Sequence, residues 1–141
     1  MYEEQIKNSF NQCNVGRFIG IDIYEIGEGF AKGRLTIREE HTNIFGNIHG
    51  GILFTLADHV GGACGNTLGK KAVLVESSIQ YMKGALEKET VFAEAVLTYK
   101  GARIGRIDVN IYKDNRELMA VAHQVFYIKK NKHEPKIIEN V

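Results

Sequence analysis

Apolar residues stand four apart at the start of the chain. Tyr2, Ile6 and Phe10 make one stripe, which predicts a short amphipathic helix over residues 2–12, packed on the surface in a structural role. Strict alternation then takes over. In the run 18–26, Ile19, Ile21 and Ile23 alternate with polar residues, and after the turn-like Gly27-Glu28-Gly29 a second alternating run begins at Phe30, so the two predict a β-hairpin. An irregular stretch over 39–51 gives way to a long apolar one. At 100° per residue, Ile52, Leu53, Leu56, Ala57, Val60, Ala63 and Cys64 share about 140° of arc, which predicts one buried helix from about 50 to 67. Four strands are expected beyond it, over 73–82, 90–100, 103–113 and 117–129, joined by short links bearing Gly, Asp or Asn and meandering antiparallel. The expected class is α+β, with a curved antiparallel sheet wrapped around a single apolar helix.

Composition narrows the function. With 141 residues the chain is expected to form one domain over 1–141, its tail from about 130, around Pro135, loosely held. No apolar run approaches the ~18 residues of a membrane span, so no membrane role is expected. Eighteen Lys+Arg against 17 Asp+Glu give a formal charge of +1, which offers a nucleic-acid partner no electrostatic footing. Cys13 and Cys64 lack C-x-x-C spacing, arguing against a zinc site and fitting a reducing compartment. The first ten residues carry acids where a signal peptide carries bases, so a cytoplasmic location is expected.

The candidate chemistry lies on the central helix. Phe54, Asp58, Gly61, Gly62 and Gly65 fall about opposite its apolar stripe, and three glycines inside a helix cost roughly 3 kcal/mol relative to Ala. Close approach of a helix, a subunit or a ligand is the usual compensation, with Asp58 projecting into the trough; a structural ion pair is the plainer alternative. At the helix start, His49, Gly50 and Gly51 present unpaired N–H groups at the positive end of the macrodipole, where an oxyanion can dock. A glycine-rich junction without function is the plainer reading of that dipeptide alone. Asp58 lies nine residues beyond His49, ~13 Å along the axis, so the two halves of such a site need a symmetry mate.

The segment H-T-N-x-x-G-x-x-H-G-G-x-x-x-x-x-x-D, from His41 to Asp58, closely resembles the hotdog-fold thioesterase superfamily and, within it, the phenylacetyl-CoA thioesterase (PaaI-like) branch. The likeness covers nearly the whole chain, including Val75 to Ala85 and the turn Lys100-Gly101-Ala102-Arg103. It implies an acyl-CoA thioesterase in which Asp58 is general base or nucleophile and Gly50 gives its N–H to the thioester oxygen. Asn43 would position water or carbonyl, and His49 would support the oxyanion turn. It further implies a homodimer or dimer of dimers with the site shared between subunits, coenzyme A as part of the substrate, and no separate cofactor. A carboxylate suits this reaction because thioesters are already activated. Gly51, Phe54, Gly61 and Gly62 are the expected substrate-facing positions, and Lys83 and Arg103, among basic residues near element ends, are candidates for coenzyme A phosphates. One departure stands out: family members often carry a Ser or Thr early in the next strand to hold the attacking water, and the matched residue here is Leu74, with Ser77 and Ser78 three and four residues further on, ~10–13 Å along a strand.

Other constellations are weaker. Asp58 and His59 point 100° apart and share no metal ligand geometry, so no metal is expected. Cys64 lies in the apolar stripe and reads as a core thiol, and Gly61 to Gly65 is a poor dinucleotide fingerprint because no strand precedes it. Two alternatives to hydrolysis remain: a non-catalytic acyl-CoA binding module of the same fold, and a dehydratase, which would need a His base.

Overall fold

The computed structural model describes residues 2–132, so the tail assigned from about 130, with Pro135, lies almost wholly outside them. Helix α1 (Tyr2–Gln12) and a second short helix, α2 (Asn14–Ile19), precede the hairpin β1 (Asp22–Gly27) and β2 (Phe30–Thr36). Helix α3 (Gly50–Gly65) follows, then β3 (Lys70–Tyr81), β4 (Thr90–Lys100), β5 (Ile104–Lys113) and β6 (Leu118–Lys132). All pairings are antiparallel, in the order β1-β2-β4-β5-β6-β3.

The apolar stripe of α3 makes the core. Leu53, Leu56, Ala57, Val60, Ala63 and Cys64 are each 2% exposed or less, and α3 touches all six strands. Each large side chain so buried stabilises the fold by ~1.5–3 kcal/mol. The strands meet the helix with small residues, Ala93, Ala95, Ala120 and Ala122, which let it approach closely. Gly33 of β2 shows the tolerance: a Cβ there would stand 2.6 Å from Val60.

Two expectations need correction. Residues 18 and 19 belong to α2, not to a strand, because Gly20 adopts a left-handed φ of 96° that caps the helix and turns the chain into β1. Ile19, Ile21 and Ile23 keep their alternation straight through that turn, so the pattern alone does not reveal it. The four later strands are also not one meander. Strand β3 pairs with β6 at the sheet edge, while β4 pairs with β2. The link over 82–89 is too long for a tight hairpin and instead crosses beneath the start of α3, where Ile48 N–H bonds to Ala85 O at 2.8 Å and Ile37 N–H to Glu89 O at 2.8 Å.

Helix α1 does more than cover surface. Ile6 is fully buried, and the Asn11 amide donates to Ile23 O (2.9 Å) and accepts from Ile23 N–H (2.8 Å), occupying the free edge of β1.

Candidate active site

The loop before α3 is an antiparallel crossing of 41–43 against 47–49. Asn43 N–H bonds to Asn47 O at 2.7 Å, and His49 N–H to His41 O at 2.8 Å. The Asn43 side chain fixes the turn: its Oδ1 accepts from Phe45 N–H (2.9 Å) and Asn47 N–H (3.1 Å), which leaves Nδ2 as the group able to donate outward. His41, 2% exposed, is a structural member of this loop. Its Nδ1 accepts from Arg38 N–H (2.9 Å), so Nε2 carries the proton toward Ile19 O (2.8 Å). Burial, and then Arg38, hold its pKa below the ordinary imidazole value.

His49 caps α3 with its own ring, Nδ1 accepting the Gly51 N–H at 2.8 Å. The two glycines therefore do not offer two free donors. Gly51 N–H is taken by His49, and Gly50 N–H, which finds no acceptor among the described residues, is the one left for an anion. Tyr81, at the end of β3, closes the back of this turn with a 2.9 Å hydrogen bond from its hydroxyl to Gly50 O. Its ring stands so near that a Cβ at Gly50 would lie 3.2 Å from it.

Asp58 occupies the other half. It lies eight residues after Gly50 on the same helix, ~12 Å along the axis, in a cleft of about 470 Å³. Phe10, Val15, Thr55, Gly62 and Leu74 are among its walls. Partial burial pushes the Asp58 carboxyl above the usual carboxylate range, against a smaller opposing pull from His59. That histidine also borders the cleft, but its Nε2 is engaged on Phe10 O at 3.0 Å.

The glycine face is divided. Gly62 faces Phe10 and lines the cleft, but Gly61 and Gly65 are buried against the sheet, Gly61 on Gln124 and Gly65 on Ala72, Ile107 and Phe126. Gly61 is thus withdrawn from the substrate-facing set: its missing Cβ admits a β6 side chain, not a ligand. Phe54 is half-buried one turn before Asp58. The two basic candidates stand at opposite ends of the sheet. Lys83, just past β3, is paired with Glu117 at 2.8 Å, whereas Arg103 precedes β5 beside Ile128, across from the start of β3. They form no single phosphate clamp within one chain. Cys64 is fully buried and its thiol is pushed up to about 12, as a core residue requires.

Two neighbours gain a place near the site that the pattern along the chain does not give them. Tyr81 is one. The other is Ser77, which a β-bulge between Leu74 and Glu76 turns to the same side of β3 as Leu74. Leu74 opposes Phe126 and Ser77 opposes Gln124, two residues along β6, so the hydroxyl lies ~7 Å from the matched position and not the ~10 Å of an unbroken strand.

An antiparallel sheet around one long helix, whose start is opened by glycines and whose middle carries a carboxylate facing a cleft, is the hotdog architecture of thioester hydrolases. The family model described as "Thioesterase superfamily" matches residues 45–120. The "Putative esterase" of Archaeoglobus fulgidus is 36% identical over 105 residues, 74% of this chain and 68% of that protein. Acyl-coenzyme A thioesterase PaaI of Escherichia coli is 30% identical over 103 residues, 73% of this chain and 74% of that one. The solved structure of the E. coli PaaI protein superposes with a TM-score of 0.86 at 23% identity, covering 94% of this chain and 99% of that chain. A Streptococcus pneumoniae hypothetical thioesterase solved with coenzyme A gives 0.82 at 23% identity, covering 89% and 98%. The chain belongs to the thioesterase superfamily, in its PaaI-like branch, and is a thioester hydrolase.

Proposed function

We propose that this protein hydrolyses acyl-CoA thioesters to free acid and coenzyme A at a site shared by two copies of the chain. Asp58 of one copy, its carboxyl tuned upward by burial, takes a proton from water as that water attacks the thioester carbonyl. The oxygen of the tetrahedral intermediate is met by the N–H of Gly50 of the partner subunit, at the positive end of α3. Asn43 of the partner subunit, with Nδ2 its remaining donor, orients the carbonyl or the water. Collapse expels the coenzyme A thiolate, which takes up the proton held by Asp58.

The observation that carries this reading is the unpartnered Gly50 N–H standing ~12 Å from Asp58 on one helix, too far for one chain to serve one carbonyl. The edge position of β3, with Val73 and Val75 exposed, supports a second copy alongside. Two related proteins carry the substrate class in their names, an acyl-coenzyme A thioesterase and a thioesterase solved with coenzyme A.

The test is release of free thiol from acetyl-, hexanoyl- and phenylacetyl-CoA, followed with a thiol reagent. Thiol release that saturates with substrate supports the proposal. Tight binding of these thioesters without release would make the chain a binding module and overturn it.

A further inference from the structure

The inner face of β6 is lined by Ala120, Ala122, Phe126 and Ile128, with one polar interruption. Gln124 is 1% exposed, yet it satisfies only half of its amide. Its Nε2 donates to Ala57 O at 3.0 Å, and its Oε1 has no hydrogen-bond partner among the described residues. Opposite that oxygen, α3 has Gly61, where any Cβ would collide with the amide. Two unfavourable choices meet here: a buried polar side chain left partly unpaired and a glycine within a helix. A leucine facing an alanine would fill the same space without either, so packing alone does not account for the pair.

What the pair does is legible from its partner atom. Ala57 C=O belongs to the rigid peptide unit whose nitrogen is that of Asp58, so no rotatable bond separates the gripped carbonyl from the Asp58 backbone. The gripping residue is itself held firmly, since Gln124 pairs with Ser77 of β3 on one side and Ile107 of β5 on the other. We propose that Gln124 is a positioning residue: through Ala57 O, and through the space Gly61 leaves open, it fixes the height and rotation of α3 that aim the Asp58 carboxylate. The inference rests on the reading of Asp58 as the base in thioester hydrolysis.

The experiment uses the intact protein and the acyl-CoA among the three above that is turned over fastest. Asp58→Asn must first abolish turnover; if it does not, the catalytic reading fails and takes this inference with it. Given that loss, Gln124→Leu is expected to lower kcat at least tenfold while KM stays within about twofold, because misplacing a catalytic group by a fraction of an ångström weakens chemistry more than binding. The acid limb of its pH profile moves as well, since the carboxylate changes surroundings. Gly61→Ala reproduces the loss alone and adds little in the Gln124→Leu background, as expected of two residues acting as one unit. If Gln124→Leu does not fold, Gln124→Met is read by the same criteria, and Gly61→Ala decides if neither folds. A lowered melting temperature with kcat per folded molecule and the acid limb both unchanged would make Gln124 a packing residue and overturn the proposal.

Discussion

The Tyr81 hydroxyl donates a 2.9 Å hydrogen bond to the carbonyl of Gly50, tying the last residue of β3 to the first residue of α3. The bond matters because the same residue bears the unpartnered N–H at the helix start. With Gly50 O fixed by Tyr81 and Gly51 N–H fixed by His49, the backbone that presents Gly50 N–H is held on both sides. An oxyanion donor works best when it need not reorganise during the reaction. Tyr81→Phe removes ~1 kcal/mol of restraint, so kcat is expected to fall roughly fivefold and the melting temperature by no more than about 3–5 °C. Steady-state kinetics on purified variants checks this. Gly50→Ala, forced against the ring, should fall further.

Asp58→Asn keeps the shape and removes the base. Turnover should drop at least ~10²-fold with the fold intact by circular dichroism. Because burial raises the Asp58 carboxyl, wild-type activity should fall, as pH decreases, through a pKa above the ordinary carboxylate range. The sign for stability is the reverse of a salt-bridged acid. A carboxyl whose pKa is higher in the folded than in the unfolded chain opposes folding once both are ionised, so Asp58→Asn should raise the melting temperature at pH 7 and change nothing well below pH 4. Thermal melts at the two pH values decide it.

His59 carries the opposite linkage. Burial lowers its pKa, while its bond to Phe10 O pulls the other way with a smaller effect. The folded chain therefore resists protonation, and the stability present above the unfolded imidazole value of ~6.5 is lost as pH falls toward the depressed folded value. The ring also packs edge-on to Phe10 and sits against Gly16, so its protonation loosens the α1–α2 cover over the Asp58 cleft. Melting temperature should drop between pH 7 and pH 5, and His59→Gln should flatten that dependence.

Much of this was legible in the amino-acid sequence because periodicity reports burial. The stripe from Leu53 to Cys64 required one central helix, and the resemblance over His41 to Asp58 named the residues around it. Adjacency was not legible. A strand's own pattern says which face is buried but not which neighbour it pairs with, so the pattern sets β3 beside β4, whereas it pairs with β6. The glycines differ for a related reason: angle around a helix does not say what lies opposite, and Gly61, grouped by angle with the glycines opposite the apolar stripe, meets Gln124 rather than ligand. A bulge is equally silent, so an unbroken strand puts Ser77 too far along to assist.

Ser77 and Leu74 can now be separated. If water beside Asp58 is held from β3, Ser77 is the inward hydroxyl nearest the matched position, and Ser78 pairs one residue further on, facing outward. Ser77→Ala should lower kcat roughly fivefold, the value of one hydrogen bond to the attacking water, while Ser78→Ala leaves it unchanged. Leu74→Ser, on the wall of the Asp58 cleft, should raise turnover and lower stability by less than the ~2–5 kcal/mol of a fully buried Leu truncation. Equal kinetics for the Ser77 and Ser78 variants would count against β3 as the water holder.

The sharing of each site between two chains gives the most demanding prediction. Asp58→Asn and Asn43→Ala are each expected to be inactive alone. When the two variants are co-refolded in equal amounts, half the dimers carry one chain of each kind. In such a dimer one site collects both defects, and the other combines the intact Asp58 of one chain with the intact Asn43 of its partner. The mixture should recover about a quarter of wild-type activity, as the two-fold symmetry of an isologous dimer requires. Were each site built within one chain, every site in the mixture would hold a defect and activity would stay at background. Native mass spectrometry confirms that mixing occurred, so background activity in a fully mixed sample would refute the shared site and return Gly50 to a structural role.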